Sequence, residues 1–173
     1  EEKEAGVVLV DIGGGTTDVA IYYEGIVWHT AVIPFGGNAI TKDIKEGCAI
    51  LPKQAEKIKV NCGTCLPESI DSDTVIVIEG SGRGMKEISH HMLAGIIQAR
   101  MEEIIDALLF EMESSGVMEK LSAGIVITGG GALMRDLPQF LKFKTGMDIR
   151  IGFPCEQLAA NTAEEVNNPM YST

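Results

Sequence analysis

Asp11-Ile12-Gly13-Gly14-Gly15-Thr16-Thr17-Asp18 stands between two apolar runs, Gly6 to Val10 and Val19 to Tyr23. Short runs rich in Val and Ile and broken by glycine read as the two strands of a hairpin. Three glycines in a row do more than reverse the chain. Without Cβ atoms their backbone N–H groups can gather around an anion, and the hydroxyls of Thr16 and Thr17 add donors. Asp11, at the end of the first strand, carries a charge able to hold Mg2+ through water against a phosphate. A tight turn with a satisfied aspartate is the plainer account of one such triplet, so the choice rests on the rest of the chain.

A second triplet decides it. Ala123 to Thr128 is an apolar strand that runs straight into Gly129-Gly130-Gly131-Ala132. Asp136-Leu137-Pro138-Gln139 then offers a capping box with proline in the first turn, and Leu137, Phe140 and Leu141 supply the buried face of a helix that Gly146 stops. Asp148 to Ile151 forms a last short strand. Strand, helix and strand at this spacing predict a parallel pair with a right-handed crossover, so the sheet is mixed. If that pair joins the first strand, both glycine corners fall on one rim. Open α/β sheets bind ligands there, one corner taking phosphates and the other admitting a nucleoside.

Between the corners, Ile26 to Pro34 continues the hairpin through Glu24-Gly25 as a three-stranded meander. A helix follows from Ala39, with Ile40, Ile44 and Cys48 on one face. Pro52 opens another over about Lys53 to Val60, with Ala55 and Ile58 inward. Glu56 and Lys59 lie three apart and share a face, where they form either a surface ion pair or a joint hold on a polar ligand. Residues 61–73 read as loop with one short strand near Leu66. Thr74 to Ile78 reads as a strand closed by a turn over 79–84, whose glycine spacing fits neither the dinucleotide fingerprint nor the lysine-bearing phosphate loop. From Lys86 to Met112, apolar residues recur in steps of one, three and four, the stripe of a long amphipathic helix. His90 and His91 point in different directions, make poor joint ligands and read as surface residues.

With 173 residues and 45% hydrophobic content, the chain suits one compact domain carrying a small inserted subdomain. A formal charge of −11 excludes a nucleic-acid groove, which needs clustered Lys and Arg. No apolar run approaches the ~20 residues of a membrane span, and no charged-then-apolar leader opens the sequence. Beginning at Glu1 and entering a strand almost at once, it reads as an excerpt of a longer protein. Cys62-Gly63-Thr64-Cys65 has knuckle spacing, yet neither a second pair nor a helix N-terminus accompanies it. Cys48, Cys62, Cys65 and Cys155 therefore read as the reduced thiols of a cytoplasmic protein.

The two glycine motifs together resemble the second half of an actin-like ATPase, the superfamily of actin, DnaK-type chaperones and sugar kinases. Within it the chain is most similar to FtsA, a family of bacterial cell-division proteins. The stretches carrying the likeness are Gly36-Gly37-Asn38-Ala39-Ile40-Thr41-Lys42-Asp43-Ile44, Ala55-Glu56-Lys57-Ile58-Lys59, Ile96 to Ile104, and Asn168-Pro169-Met170-Tyr171. The resemblance implies an α/β, actin-like (ribonuclease H-like) domain with a mixed five-stranded sheet and an inserted smaller α+β subdomain. Residues 1–47 and 122–173 would be subdomain IIA and residues 48–121 subdomain IIB.

It further implies ATP with Mg2+ as cofactors. Asp11, Gly13, Gly14, Gly15 and Thr16 would form a phosphate loop, with Asp11 holding Mg2+ through water. Gly36 and Gly37 would lie near the phosphates, Glu56 and Lys59 at the ribose and adenine edge, and Gly129, Gly130, Gly131 and Ala132 at the adenosine. No catalytic residue is implied. Arg100 and Glu103, on the polar side of the long helix, would meet the carboxy-terminal tail of FtsZ. Self-association into filaments is implied, as is a site at the cytoplasmic face of the inner membrane at the division septum, with membrane contact only through a tail absent from this sequence. Leu133 departs from the long polar residue usual beside an adenine, and the Cys62–Cys65 turn has no counterpart in the resemblance. Because half a cleft neither excludes water nor clamps phosphates from both sides, these residues alone are expected to bind ATP weakly or not at all and to turn none over. The alternative class is the second half of an actin-fold phosphotransferase, such as a sugar or acetate kinase, with its catalytic carboxylate elsewhere.

Overall fold

The computed structural model describes residues 1–71, 73–79, 84–153 and 168–171. A helical turn, Glu2–Ala5 (α1), leads into the antiparallel meander of Val7–Ile12 (β1), Thr17–Tyr23 (β2) and Ile26–Ile33 (β3). Gly37–Gly47 (α2) and Pro52–Cys62 (α3) follow, and then the hairpin of Val75–Glu79 (β4) and Met85–Ser89 (β5). The long helix His90–Ser114 (α4) returns the chain to Ile125–Thr128 (β6), Leu137–Thr145 (α5) and Ile149–Ile151 (β7).

The main sheet has the order β3-β2-β1-β6-β7. β6 lies parallel to both β1 and β7, so the sheet is mixed as the sequence predicts. β6 occupies an inner position and all four of its residues are buried, which explains its unbroken apolar run. On one face of the meander, Val8, Val10, Ile12, Val19 and Ile21 join a buried cluster that continues through Ile40, Ile44 and Ile58 to the α4 stripe of Leu93, Ile97, Met101, Ile104, Ile105, Leu108 and Met112. Helix α4 is also fastened to the edge strand. Trp28 Nε1 donates to the Ser115 carbonyl at 3.1 Å, and His29 Nε2 lies 2.9 Å from Glu111 Oε2.

Four local expectations give way. Residues 85–89 form β5 rather than the first turn of the long helix. Ile88 fits a four-residue step to Met92, but it also alternates with its neighbours, and pairing with Ile76 wins; Ser89 then caps α4 by accepting from the Met92 N–H. No strand forms near Leu66, where Pro67–Ser69 makes a single 3₁₀ turn and Thr64 bridges to Arg135. Asp136 caps nothing: it sits at φ 62°, and its carboxylate accepts the Thr64 hydroxyl at 2.5 Å instead. His90 is half-buried, not a surface residue. Its Nε2 lies 2.7 Å from the Cys62 carbonyl, an acceptor only, so that nitrogen carries the proton. The turn expected over 79–84 falls mostly outside the described residues, as does Cys155.

Candidate nucleotide site

Because β1 and β6 are parallel with Asp11 opposite Thr128, the corners that follow them, at Gly13 and Gly129, leave the sheet side by side on one rim. Between that rim, α2, α3 and the start of α4 lies a cavity of about 670 Å³, a size suited to a small-molecule ligand. Seven of the expected ligand residues line it: Gly13, Gly14, Gly37, Glu56, Lys59, Gly130 and Gly131.

The first corner is shaped from below by α2. Gly37 N–H donates to the Gly13 carbonyl at 2.9 Å and Asn38 N–H to the Gly14 carbonyl at 2.8 Å. In a trans peptide the C=O and the next N–H point opposite ways, so turning these carbonyls toward α2 turns the N–H groups of Gly14 and Gly15 away from it. Among the described residues the N–H groups of Gly14, Gly15 and Thr16 take no bond, which leaves a run of donors for an external acceptor. Gly36 makes the approach possible. A Cβ there would stand 2.5 Å from Gly13 O and 2.8 Å from Gly14 O.

At the second corner Gly129 has φ 80° and is buried, a Cβ at Gly131 would meet Ile12 Cγ2 at 2.3 Å, and Ala132 is buried beneath. Gly130 is open, with no atom within 4 Å of where its Cβ would lie. The Gly129 N–H donates to Pro169 O at 3.0 Å, which brings Met170 to the cavity wall near Leu133.

Gly15 and Thr16 are exposed at the loop tip and do not line the cavity. Asp11 does not line it either. Side chains alternate along β1, so Asp11 opens on the other face, in a shallow depression with Asp18 and Thr30. Its Oδ1 is buried and has no hydrogen-bond partner among the described residues. Burial, with the Asp18 charge adding to it, raises the Asp11 carboxyl above its ordinary value. The folded state therefore holds this proton more tightly than the unfolded chain does. The associated stability is complete below the unfolded pKa and is lost as pH rises through the folded one. Asp11→Asn is accordingly expected to stabilise the protein at pH 7 by about 0.5–1 kcal/mol, the part-exposed carboxylate being discounted for solvent. The gain should vanish near pH 3, a dependence that thermal melts across pH would read.

On α3, Glu56 and Lys59 are paired at 2.8 Å, and Thr41 of α2 joins them. Burial works to raise the Glu56 carboxyl, but hydrogen bonds from Lys59 and Thr41 and the Lys59 charge outweigh it and hold the group below the ordinary glutamate value. It is therefore an ionised acceptor facing the cavity. The Cys62–Cys65 turn acquires a structural role. A Cβ on Gly63 would lie 2.3 Å from Lys59 O, Thr64 is buried against Asp136, and Cys65 N–H donates to Arg135 O at 3.1 Å, so the turn stitches the end of α3 to the second glycine corner. Burial pushes the Cys65 thiol up to about 12, with Asp136 adding to it, which leaves it inert.

Arg100 and Glu103 stand apart from the cavity lining. Arg100 donates Nε and Nη2 to Asp43 at 2.6 and 3.1 Å and Nη1 to Glu103 at 2.6 Å, while its guanidinium lies 5.7 Å from the Phe35 ring centre. Thr41, Met134, Arg135 and Met170 reach the site or its wall without any spacing signal that isolates them.

Among solved structures, MreB5 of Spiroplasma citri bound to AMPPNP superposes with a TM-score of 0.75 at 25% identity, covering 87% of this chain and 49% of that one. The MamK double helical filament gives a TM-score of 0.67 at 18% identity over 95% of this chain and 53% of that one, a likeness of fold alone. With the mixed five-stranded order and paired glycine corners, these define an actin-like domain. The chain belongs to the FtsA family: the family model for cell division protein FtsA matches residues 8–173. The FtsA proteins of Neisseria meningitidis and Escherichia coli are 39% and 34% identical over the whole of it. The chain spans 42% and 43% of the lengths of those two relatives.

Proposed function

We propose that this chain supplies one wall of an ATP site and a partner-docking subdomain in an actin-like division scaffold. The observation that carries the nucleotide reading is the single cavity bounded by both glycine corners with an ionised Glu56 between them. The N–H groups at Gly14, Gly15 and Thr16 would take phosphate oxygens, with Gly13, Gly36 and Gly37 shaping the approach. Glu56, backed by Lys59, would accept from the ribose. Gly129 to Ala132 would let the base lie against backbone. AMPPNP and ADP in the MreB5 structures support this reading.

A hydrated cation fits the open side of the Asp11 carboxylate beside Asp18, since Mg2+ keeps most of its waters and needs only one or two carboxylates. Asp11 would hold it through water and Asp18 would stand beside it. Mg2+ would neutralise phosphate charge when bound.

Residues 48–121, which carry α3, the separate β4–β5 sheet and α4, would be the inserted subdomain IIB, and the flanking segments subdomain IIA. The polar side of α4 would receive the FtsZ tail. Asp43 fixes the Arg100 guanidinium in a plane suited to carboxylate recognition, and the 62% exposed Glu103 side chain is the contact a peptide would displace. The full-length protein would self-associate into filaments at the cytoplasmic face of the inner membrane at the division site, with a tail beyond this chain making the membrane contact; membership of the FtsA family supports the division-site reading. No relative named above supports the phosphotransferase alternative.

Two titrations test the proposal. Full-length protein is expected to bind ATP by calorimetry, while residues 1–173 alone bind it weakly or not at all. A synthetic FtsZ-tail peptide is expected to bind the full-length protein and to lose about tenfold in affinity with Arg100→Ala, the range for a charge-assisted contact. Tight ATP binding by residues 1–173 would refute the half-site, and an unbound peptide would refute the docking surface.

A further inference from the structure

We propose that Thr41 is a positioning residue for ribose recognition: its hydroxyl, with Lys59, holds Glu56 so that one carboxylate oxygen faces the cavity as an acceptor. The inference rests on the nucleotide reading of the same cavity and adds a residue and a sugar specificity to it.

An ammonium has three N–H donors, and Lys59, which is buried, uses all three inside the protein. They go to the Gly37 carbonyl at 3.0 Å, Thr41 Oγ1 at 2.8 Å and Glu56 Oε2 at 2.8 Å. Lys59 therefore has no donor left for a ligand, although it lines the cavity. Thr41 has a single hydroxyl proton and two acceptors in reach, the Gly37 carbonyl at 3.0 Å and Glu56 Oε2 at 2.5 Å. Lys59 already serves the Gly37 carbonyl, and an ionised carboxylate is the stronger acceptor, so the proton goes to Glu56.

Two donors thus converge on Oε2, and Oε1 takes none among the described residues. The Glu56 side chain is half exposed and is held on its own helix by Lys59 alone; Thr41, on the neighbouring helix, adds the second hold that fixes its torsion. A carboxylate so held accepts and cannot donate. Its complement is a group with donors to give, which in ATP is the ribose hydroxyl pair or the adenine amino group and neither a phosphate nor a carbonyl; with the base assigned to the backbone of the second glycine corner, the ribose pair is the one left for Glu56. The site is thereby built for ribonucleotides over deoxyribonucleotides, and the discrimination depends on Thr41 as much as on Glu56.

The test is calorimetric titration of the full-length protein with ATP, 2′-deoxyATP and 3′-deoxyATP, in wild type, Thr41→Val, Thr41→Ser and Glu56→Gln. Wild type is expected to favour ATP over at least one deoxy analogue by about tenfold, the worth of one charge-assisted bond. Thr41→Val should weaken ATP by a similar factor and flatten the ATP-to-deoxyATP ratio, with Thr41→Ser restoring both. A merely structural Thr41 would lower every nucleotide equally and leave the ratio intact, which overturns the proposal. So does a Thr41→Val protein that matches wild type. Should Thr41→Val fail to fold, Glu56→Gln and Thr41→Ser still decide: a wild-type ratio in Glu56→Gln, or a flattened one in Thr41→Ser, is equally fatal. A wild type that binds no nucleotide overturns the nucleotide reading itself, and this inference with it.

Discussion

Gly36→Ala is expected to weaken ATP binding by the full-length protein about a hundredfold, the cost of misplacing a binding group by roughly 1 Å. The new methyl would lie 2.5 Å from Gly13 O and 2.8 Å from Gly14 O, backbone atoms that cannot rotate aside as a side chain does. These carbonyls accept from the Gly37 and Asn38 N–H groups, so pushing them off α2 breaks both bonds and rotates the two peptide planes. The N–H groups of Gly14 and Gly15 rotate with them. The backbone conformation of Gly36 is extended at φ −156°, which alanine adopts freely, so the effect is steric and local. Overpacking of this kind costs about 1–3 kcal/mol in stability, modest beside the loss of binding. Gly95→Ala, on α4 with no atom within 4 Å of its Cβ, is the control. It should bind ATP as wild type does and gain about 0.5–1 kcal/mol from helix propensity. Calorimetry on both variants reads the difference; Gly36→Ala binding within threefold of wild type would show that α2 does not shape the loop.

That contrast marks what the sequence makes legible. Periodicity and punctuation reveal β1, β2, β3 and β6, the α4 stripe from Leu93 onward and the parallel β6–β7 pair, because each is set by burial along its own segment. The paired corners follow from topology, since two strands that are parallel neighbours must end on one rim. What escapes is decided between segments. Ile88 satisfies both a helical and a strand period, and only its pairing with Ile76 across the hairpin settles which applies. Asp136 has the residue type of a cap, yet buried Thr64 offers it a hydrogen bond that a solvated helix end cannot match. Lys59 and Glu56 read as an equal pair at i, i+3. Only the arrival of Thr41 and the Gly37 carbonyl from α2 divides their roles, consuming every donor of one and leaving an oxygen of the other without a donor among the described residues. Asp11 shares a motif with the glycines but, by strand alternation, opens on the other face.

The largest loss of stability is expected from Gly129→Ala, about 3 kcal/mol or more, because two independent penalties add there. At φ 80° and ψ 173° the backbone lies in a region that is almost closed to residues with a Cβ. The methyl would also stand 2.3 Å from Asp11 Oδ1 and 2.6 Å from Ile12 O. Neither neighbour can yield cheaply. Ile12 O belongs to the last residue of β1, and Asp11 Oδ1 is already buried without a partner among the described residues, so displacing it drives an unsatisfied oxygen against other atoms. Relief requires β6 to separate from β1 at Asp11 and Thr128, where the rim is formed. The Gly129 N–H bond to Pro169 O moves with it, carrying Met170 away from the cavity wall. Chemical denaturation is expected to show the lowered midpoint. The double variant Asp11→Ala, Gly129→Ala should recover part of the loss, since the shorter side chain removes the nearest clash but leaves the backbone penalty. A double variant no more stable than Gly129→Ala would mean that the second corner does not rest on Asp11, and that backbone conformation and the approach of Ile12 O demand glycine at this position.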